Sequence, residues 1–256
     1  MTIAVVQTTT AKVTSSGGSS ESITSTAAAQ WAAVPTAGNS ILSLVTGFNN
    51  STGAGIVGVA PTDTASNTHS IATHIENGIQ EIHQCIAQAI ATATPYTETF
   101  TWTPVLTIFN SLIDLEISGL AASALDTTGT ILDVTGTATA LTPVTSASVS
   151  QPNYIAVSQI QVNTGGTVTF TTPSGWTSIY AQGNSGVANV VAFAYKIVTG
   201  GSLTTVSAPW TWSGAGNTFA IGNIAIYKDV VSGSAGAVYT PYTRTQFFVS
   251  DTVIQS

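Results

Sequence analysis

The sequence predicts an all-β protein, a two-sheet antiparallel β-sandwich, on three observations. Thr is about one residue in six, and β-branched side chains lose rotamer freedom in helices but pack well on a pleated surface. Apolar runs of strand length recur at Ile3 to Val6, Ile41 to Val45, Leu112 to Ile117, Ile155 to Val162, Val190 to Val198 and Ile221 to Tyr227. Between them lie turn clusters rich in Gly, Asn, Ser and Pro, which punctuate strands. These are Ser16-Gly17-Gly18-Ser19, Thr36-Ala37-Gly38-Asn39, Pro173-Ser174-Gly175, Thr199-Gly200-Gly201-Ser202 and Gly214-Ala215-Gly216-Asn217.

Composition bounds the class further. Hydrophobic residues make up 43% of the 256 and charged residues only 6%, against roughly 25% charged in an ordinary soluble domain. Disordered chains combine low hydrophobicity with high charge, so this chain folds, with a polar but uncharged surface. All-β sandwiches reach this length as one unit, and one domain over residues 1–229 is expected, followed by an arm or final strand over 230–256. Four Lys and Arg stand against eleven Asp and Glu. Phosphate-backbone binding needs clustered cations, and anionic membrane surfaces need the same, so neither nucleic acid nor membrane is an expected partner. Cys85 is the sole cysteine, and the core alone must hold the fold. The segment Met1 to Lys12 has no basic stretch ahead of its short apolar run, unlike a secretory signal. No run approaches the roughly 20 apolar residues of a membrane span.

Taken in order, most elements read directly as strands, but residues 75–90 resist. Isoleucines at 75, 79, 82, 86 and 90 fit one face of a helix. An internal comparison reverses that reading. Offsetting the chain by 108 residues pairs Ser66 with Ser174, Ile71 with Ile179, Gly78 with Gly186, Trp102 with Trp210 and Thr103 with Thr211 without a gap, the signature of a repeat. Ile86 to Ile90 then corresponds to Ala194 to Val198, which alternates like a strand, so strand is expected over 82–94. The pseudo-repeats run over about 66–121 and 174–229, two sets of strands in one sandwich. Gly200-Gly201 is expected to close a tight hairpin. After Ile221 to Tyr227, a Gly/Ser stretch leads into Tyr239, Tyr242, Arg244, Phe247 and Phe248. Aromatic residues on an extended tail need burial, either against a neighbouring subunit or back on their own sheet. These five residues are the expected partner-binding set.

Four groups invite chemical readings. Asp114 and Glu116, two apart in Leu112-Ile113-Asp114-Leu115-Glu116-Ile117, would face one side of a strand, as a glycosidase carboxylate pair could; a strand with one solvated polar face explains them more simply. His69, His74, His83 and Cys85 lack zinc-finger spacing, and Cys85 reads as a core residue with the histidines at the surface or in turns. Asp63, Thr64 and Asn67, and separately Asp126 and Asp133, offer oxygens for a structural Ca²⁺, but an Asx-turn suits Asp63 better. Trp102, Trp210 and Trp212 alternate with polar residues as core anchors do, whereas exposed tryptophans would suit a sugar platform. No Gly-x-Ser-x-Gly elbow and no phosphate-binding loop occurs. No catalytic residue, cofactor or metal is expected.

The turn sequences resemble a jelly-roll-like β-sandwich family found in tailed-phage virion proteins and some bacterial surface proteins. The carriers are Thr36-Ala37-Gly38-Asn39 before Ser40 to Val45, Thr62-Asp63 to Asn67-Thr68, Ile117-Ser118-Gly119-Leu120, Pro173-Ser174-Gly175-Trp176-Thr177 and Val198 to Gly201. They span residues 30–230. In the Asp turn Ser66 stands where the family usually has Gly. The resemblance implies a non-enzymatic virion structural protein, made in the host cytoplasm and carried on the particle surface. A capsid-decorating or cementing subunit is favoured over a fibre, because no heptads or collagen-like repeats build a stalk. Its expected partners are the major capsid protein or other virion proteins and copies of itself, as a trimer. The alternative is a tail-associated receptor- or glycan-binding module.

Overall fold

The computed structural model describes residues 2–9, 12–14, 18–24, 31–48, 57–106, 109–133, 138–164, 166–182, 189–214 and 217–230. They form antiparallel strands with no helix among the described residues. Up to residue 118 these are β1 (Ala4–Thr8), β2 (Lys12–Thr14), β3 (Gly18–Thr24), β4 (Ser40–Phe48), β5 (Val57–Asp63), β6 (His69–Glu76), β7 (Gln80–Ala87), β8 (Thr97–Leu106) and β9 (Phe109–Ser118). Beyond it follow β10 (Leu120–Asp133), β11 (Ala140–Leu141), β12 (Tyr154–Thr164), β13 (Val168–Thr171), β14 (Thr177–Gln182), β15 (Asn189–Val198), β16 (Trp210–Gly214) and β17 (Asn217–Asp229). All six apolar runs fall on strands, with Ile3 alone standing just ahead of its strand.

The strands pair into four sheets rather than two. A large sheet runs β1-β9-β4-β7-β6, with β2 extending the β1 edge along β9, and a small one runs β3-β8-β5. A second large sheet runs β10-β17-β12-β15-β14, and a second small one β11-β16-β13. The two pairs share one strand order. Reading β10 for β1 and β2, β11 for β3, and so on to β17 for β9 converts the first pair of sheets into the second. Trp102 and Trp210, 108 residues apart, both sit on the middle strand of a small sheet.

Three cores define the stacking. Leu42, Leu44, Phe48, Ile113 and Leu115 of the first large sheet meet Ile155, Val157, Val191, Phe193 and Tyr227 of the second. The opposite faces bury Ile41, Val45 and Cys85 against Phe100 and Trp102, and Ile160, Ala192 and Ile224 against Trp210 and Trp212. The order is therefore small, large, large, small. A strand covered on both faces cannot alternate polar and apolar, and β4 and β7 are buried at every position. Such strands read as near-continuous apolar runs.

The helical spacing of isoleucines resolves accordingly. Ile75 ends β6, Ile79 lies in the turn, Ile82 and Ile86 share one face of β7, and Ile90 is buried in the following loop. Strand covers 80–87, and 88–94 is irregular. Asn77 and Gly78 (φ +85°) form the turn, with Asn77 Oδ1 accepting from the Gln80 amide at 2.8 Å. Gly200-Gly201 does not close a hairpin: β15 pairs with β12 and β14, and the Gly201 amide donates to Pro152 O at 2.9 Å. Gly18 and Ser19, expected in a turn, begin β3. Gly119 joins the two sheet pairs at φ +80°, where a Cβ would lie 2.6 Å from Thr2 O, so only glycine fits.

Candidate functional site

The polar groups worth chemical scrutiny face inward from the first large sheet toward its small sheet. On β9, Leu112, Asp114 and Glu116 share this face, because Ile113, Leu115 and Ile117 take the other. The expected shared side of Asp114 and Glu116 is present, but it is not solvated: both residues are 0% exposed. The second sheet layer over β9 is what the sequence pattern conceals.

Their surroundings differ. Glu116 is saturated, accepting from Thr36 N at 2.8 Å, Asn39 Nδ2 at 2.6 Å and Gln7 Nε2 at 2.6 Å. It ties the loop before β4 and the edge strand β1 to β9, a structural task. Among the described residues Asp114 has no hydrogen-bond partner on either oxygen. Burial pushes its carboxyl up to about 8, with the nearby Ser43 hydroxyl opposing. Glu98 of β8 is equally buried. Its Oε1 accepts from Ser43 Oγ, while Oε2 has no partner. Burial, reinforced by Asp114, holds Glu98 well above the usual carboxylate range despite the lowering influence of His69 and Ser43.

Cys85 is the core residue expected, whereas the histidines correct the surface reading in part. His74 is exposed, but His83 and His69 are buried, as is Cys85. His83 Nε2 meets Glu81 Oε1, and the His83 ring stacks on His74 (5.1 Å) and tilts against Phe100 (5.3 Å). Burial raises the Cys85 thiol well above its ordinary value, with Glu98, Asp114 and Glu81 adding to the effect, which leaves it a poor nucleophile. Among the described residues no group of three or more His, Cys, Asp or Glu side chains has the geometry of a metal site.

Asp63 forms the Asx-turn. Its Oδ1 accepts from Ala65 N (2.8 Å) and Asn67 N (3.1 Å), and its Oδ2 from Asn67 Nδ2 (3.0 Å) and Tyr96 OH (3.2 Å), with His69 Nε2 at 2.6 Å. Burial opposes its ionisation, but the bonds from His69 and Asn67 outweigh it and hold the carboxyl below the usual range. A carboxylate so engaged has little left to offer a calcium ion. Within this turn Ser66 adopts φ +58°, the left-handed conformation that favours glycine. Asp126 is similarly occupied by Ser150, through N at 2.7 Å and Oγ at 2.5 Å.

Trp31, Trp102, Trp210 and Trp212 are buried, as core anchors are, and Trp176 is half-buried against the second small-sheet core. The expected partner-binding residues Tyr239, Tyr242, Arg244, Phe247 and Phe248 lie outside the described residues.

Sequence reasoning missed one constellation altogether. Between the two large sheets, amide side chains cross from one sheet to the other's backbone. Gln84 Nε2 donates to Val157 O (3.0 Å), Gln159 Nε2 to His83 O (2.6 Å) and Gln161 Nε2 to Gly47 O (3.1 Å). Gln80 also donates to Asn189 Oδ1 at 3.1 Å. These groups are fully buried, and the bonds offset their desolvation. The signal was Gln at alternate positions 159 and 161 within a run otherwise apolar but for Ser158. Comparison with family models, with curated proteins and with solved structures gives no match.

Proposed function

We propose that this chain is a structural subunit of a virus particle, a tailed-phage virion protein that decorates or cements the capsid surface by protein–protein binding. The observation that carries the reading is where the chain keeps its reactive and its adhesive groups. The described acid and base clusters are engaged or sealed between sheets, whereas edge strands of the large sheets expose apolar side chains: Val6 on β1, Ile71 on β6, and Leu125 and Leu132 on β10. Exposed edges with apolar side chains favour packing against neighbours. A weakly charged surface suits symmetric assembly, in which many modest contacts add by mass action. Self-association as a trimer on the major capsid protein fits this mode. The tail-associated glycan-binding alternative would need an aromatic platform, and the burial of four tryptophans favours the first reading.

Removing residues 231–256, which carry Tyr239, Tyr242, Arg244, Phe247 and Phe248, tests the assignment in purified particles. The expected outcome is a truncated protein that folds but is lost from heads, which then break at lower temperature. Intact heads with failed adsorption to host cells would instead identify a tail adhesin.

A further inference from the structure

We propose that the core of the first sheet pair is a proton-gated latch: Glu98 on β8 and Asp114 on β9 keep the small sheet β3-β8-β5 docked on its large sheet only while they retain protons. This inference is independent of the virion reading.

The geometry comes first. Both carboxyl groups are 0% exposed. Among the described residues three of their four oxygens have no donor, and the fourth accepts from Ser43 Oγ. Two ionised carboxylates in such a place would be uncompensated buried charges, which proteins avoid by keeping a proton. Among the described residues the bases on the packed elements are already engaged: His69, which lowers the Glu98 carboxyl, is bonded to Asp63, and His83 to Glu81. β7 contributes Cys85 and the Glu81–His83 pair. β9 adds Glu116, held by Gln7, Thr36 and Asn39. Asp63 closes β5 against His69 of β6, with Tyr96 bonded to it just ahead of β8. Acids outnumber bases around the pair.

The second sheet pair shows that the fold does not require these acids. Ser43 lies opposite Asp114 in the pairing of β4 with β9, and Ser158 lies opposite Ile224 in the pairing of β12 with β17. Four residues before Trp102 stands Glu98; four before Trp210 stands Val206. No acid stands at either place: the register gives Ile224, the offset of 108 gives Gly222, and Val206 lies ahead of β16 rather than within it. The two serines differ in partner as well: Trp210 Nε1 donates to Ser158 Oγ at 3.0 Å, whereas Trp102 Nε1 has no acceptor and Ser43 turns to Glu98. The first sheet pair thus has a Ser–Glu bond where the second has a Trp–Ser bond.

Burial raises both carboxyls in the folded state, so the sign is fixed. Their contribution is full below the unfolded carboxyl values of about 4 and is lost as pH rises, completing for Asp114 near about 8. Ionisation then drives β8 from β4 and β9.

Amide hydrogen exchange of the full-length chain, corrected for intrinsic rates, tests the latch at about pH 6 and about pH 9. Protection in β8 is expected to fall by about tenfold or more at the higher pH, while β16 and β17 keep theirs. In Glu98→Gln and in Asp114→Asn the fall in β8 should shrink, and in the double variant it should disappear. Equal β8 protection at both pH values in the wild type, or an undiminished fall in the double variant, overturns the latch. Should the variants fail to fold, infrared spectroscopy of the wild type decides. A protonated-carboxyl band that persists at neutral pH supports the proposal, and a spectrum with carboxylate bands only overturns it.

Discussion

Trp210→Ala is expected to destabilise the protein by about 3–5 kcal/mol, the usual cost of emptying a large aromatic site in a packed core. Trp210 is 1% exposed on the middle strand of its small sheet and packs in the cluster with Tyr154, Ile160, Ala192 and Ile224. Its indole also donates to Ser158 Oγ, which itself donates to Asn223 O at 2.9 Å. The equivalent Trp102 fills the other small-sheet core at 1% exposure without an acceptor for its indole. The phenylalanine variants therefore separate volume from hydrogen bonding. Trp210→Phe should cost about 1 kcal/mol more than Trp102→Phe, the net worth of one buried hydrogen bond. Denaturant midpoints at constant slope measure the difference; equal costs would mean that the Ser158 bond contributes nothing.

Gln84→Met should cost at least about 3 kcal/mol, although it preserves side-chain shape, because it strands partners on the opposite sheet. Gln84 donates to Val157 O and to Asn223 Oδ1 at 2.9 Å and accepts from Tyr227 OH at 3.0 Å. A buried polar group left unpaired costs about 1–3 kcal/mol. Tyr227→Phe removes only one of these partners and should cost less. The double variant should be less destabilising than the sum of the two, since the first substitution already breaks their shared bond. Equilibrium unfolding of the two singles and the double closes the cycle, and strict additivity would show that the tyrosine and glutamine act separately.

These two sites also show what was legible in the sequence. Strands could be placed because β-branched and apolar runs between Gly and Asn turns report local backbone preference, and the Asx-turn at Asp63 was readable from its spacing to Asn67. The stacking was not, since nothing local says that β4, β7 and β12 are covered on both faces. A polar residue in a strand ordinarily marks the solvent side. Asp114, Glu116, His83 and Gln84 break that rule because a second layer lies over each face of their sheet. The same layering explains the isoleucines of 75–90, whose helical spacing arises from two strands and a turn that bury residues on both sides. The latch is invisible for a related reason: it depends on Glu98 and Asp114 meeting across sheets, sixteen residues apart in sequence, and on a comparison with the second sheet pair that only the strand pairing makes possible. The aromatic residues from Tyr239 to Phe248 were read from the need to bury apolar surface on a tail, and they stand outside the described residues.

The most direct test of the central claim is the position of this protein on intact, purified particles, read by gold-labelled antibody in the electron microscope. Label distributed over the head surface is the predicted result. Label confined to the tail tip, or particles that carry none of the protein, would contradict it.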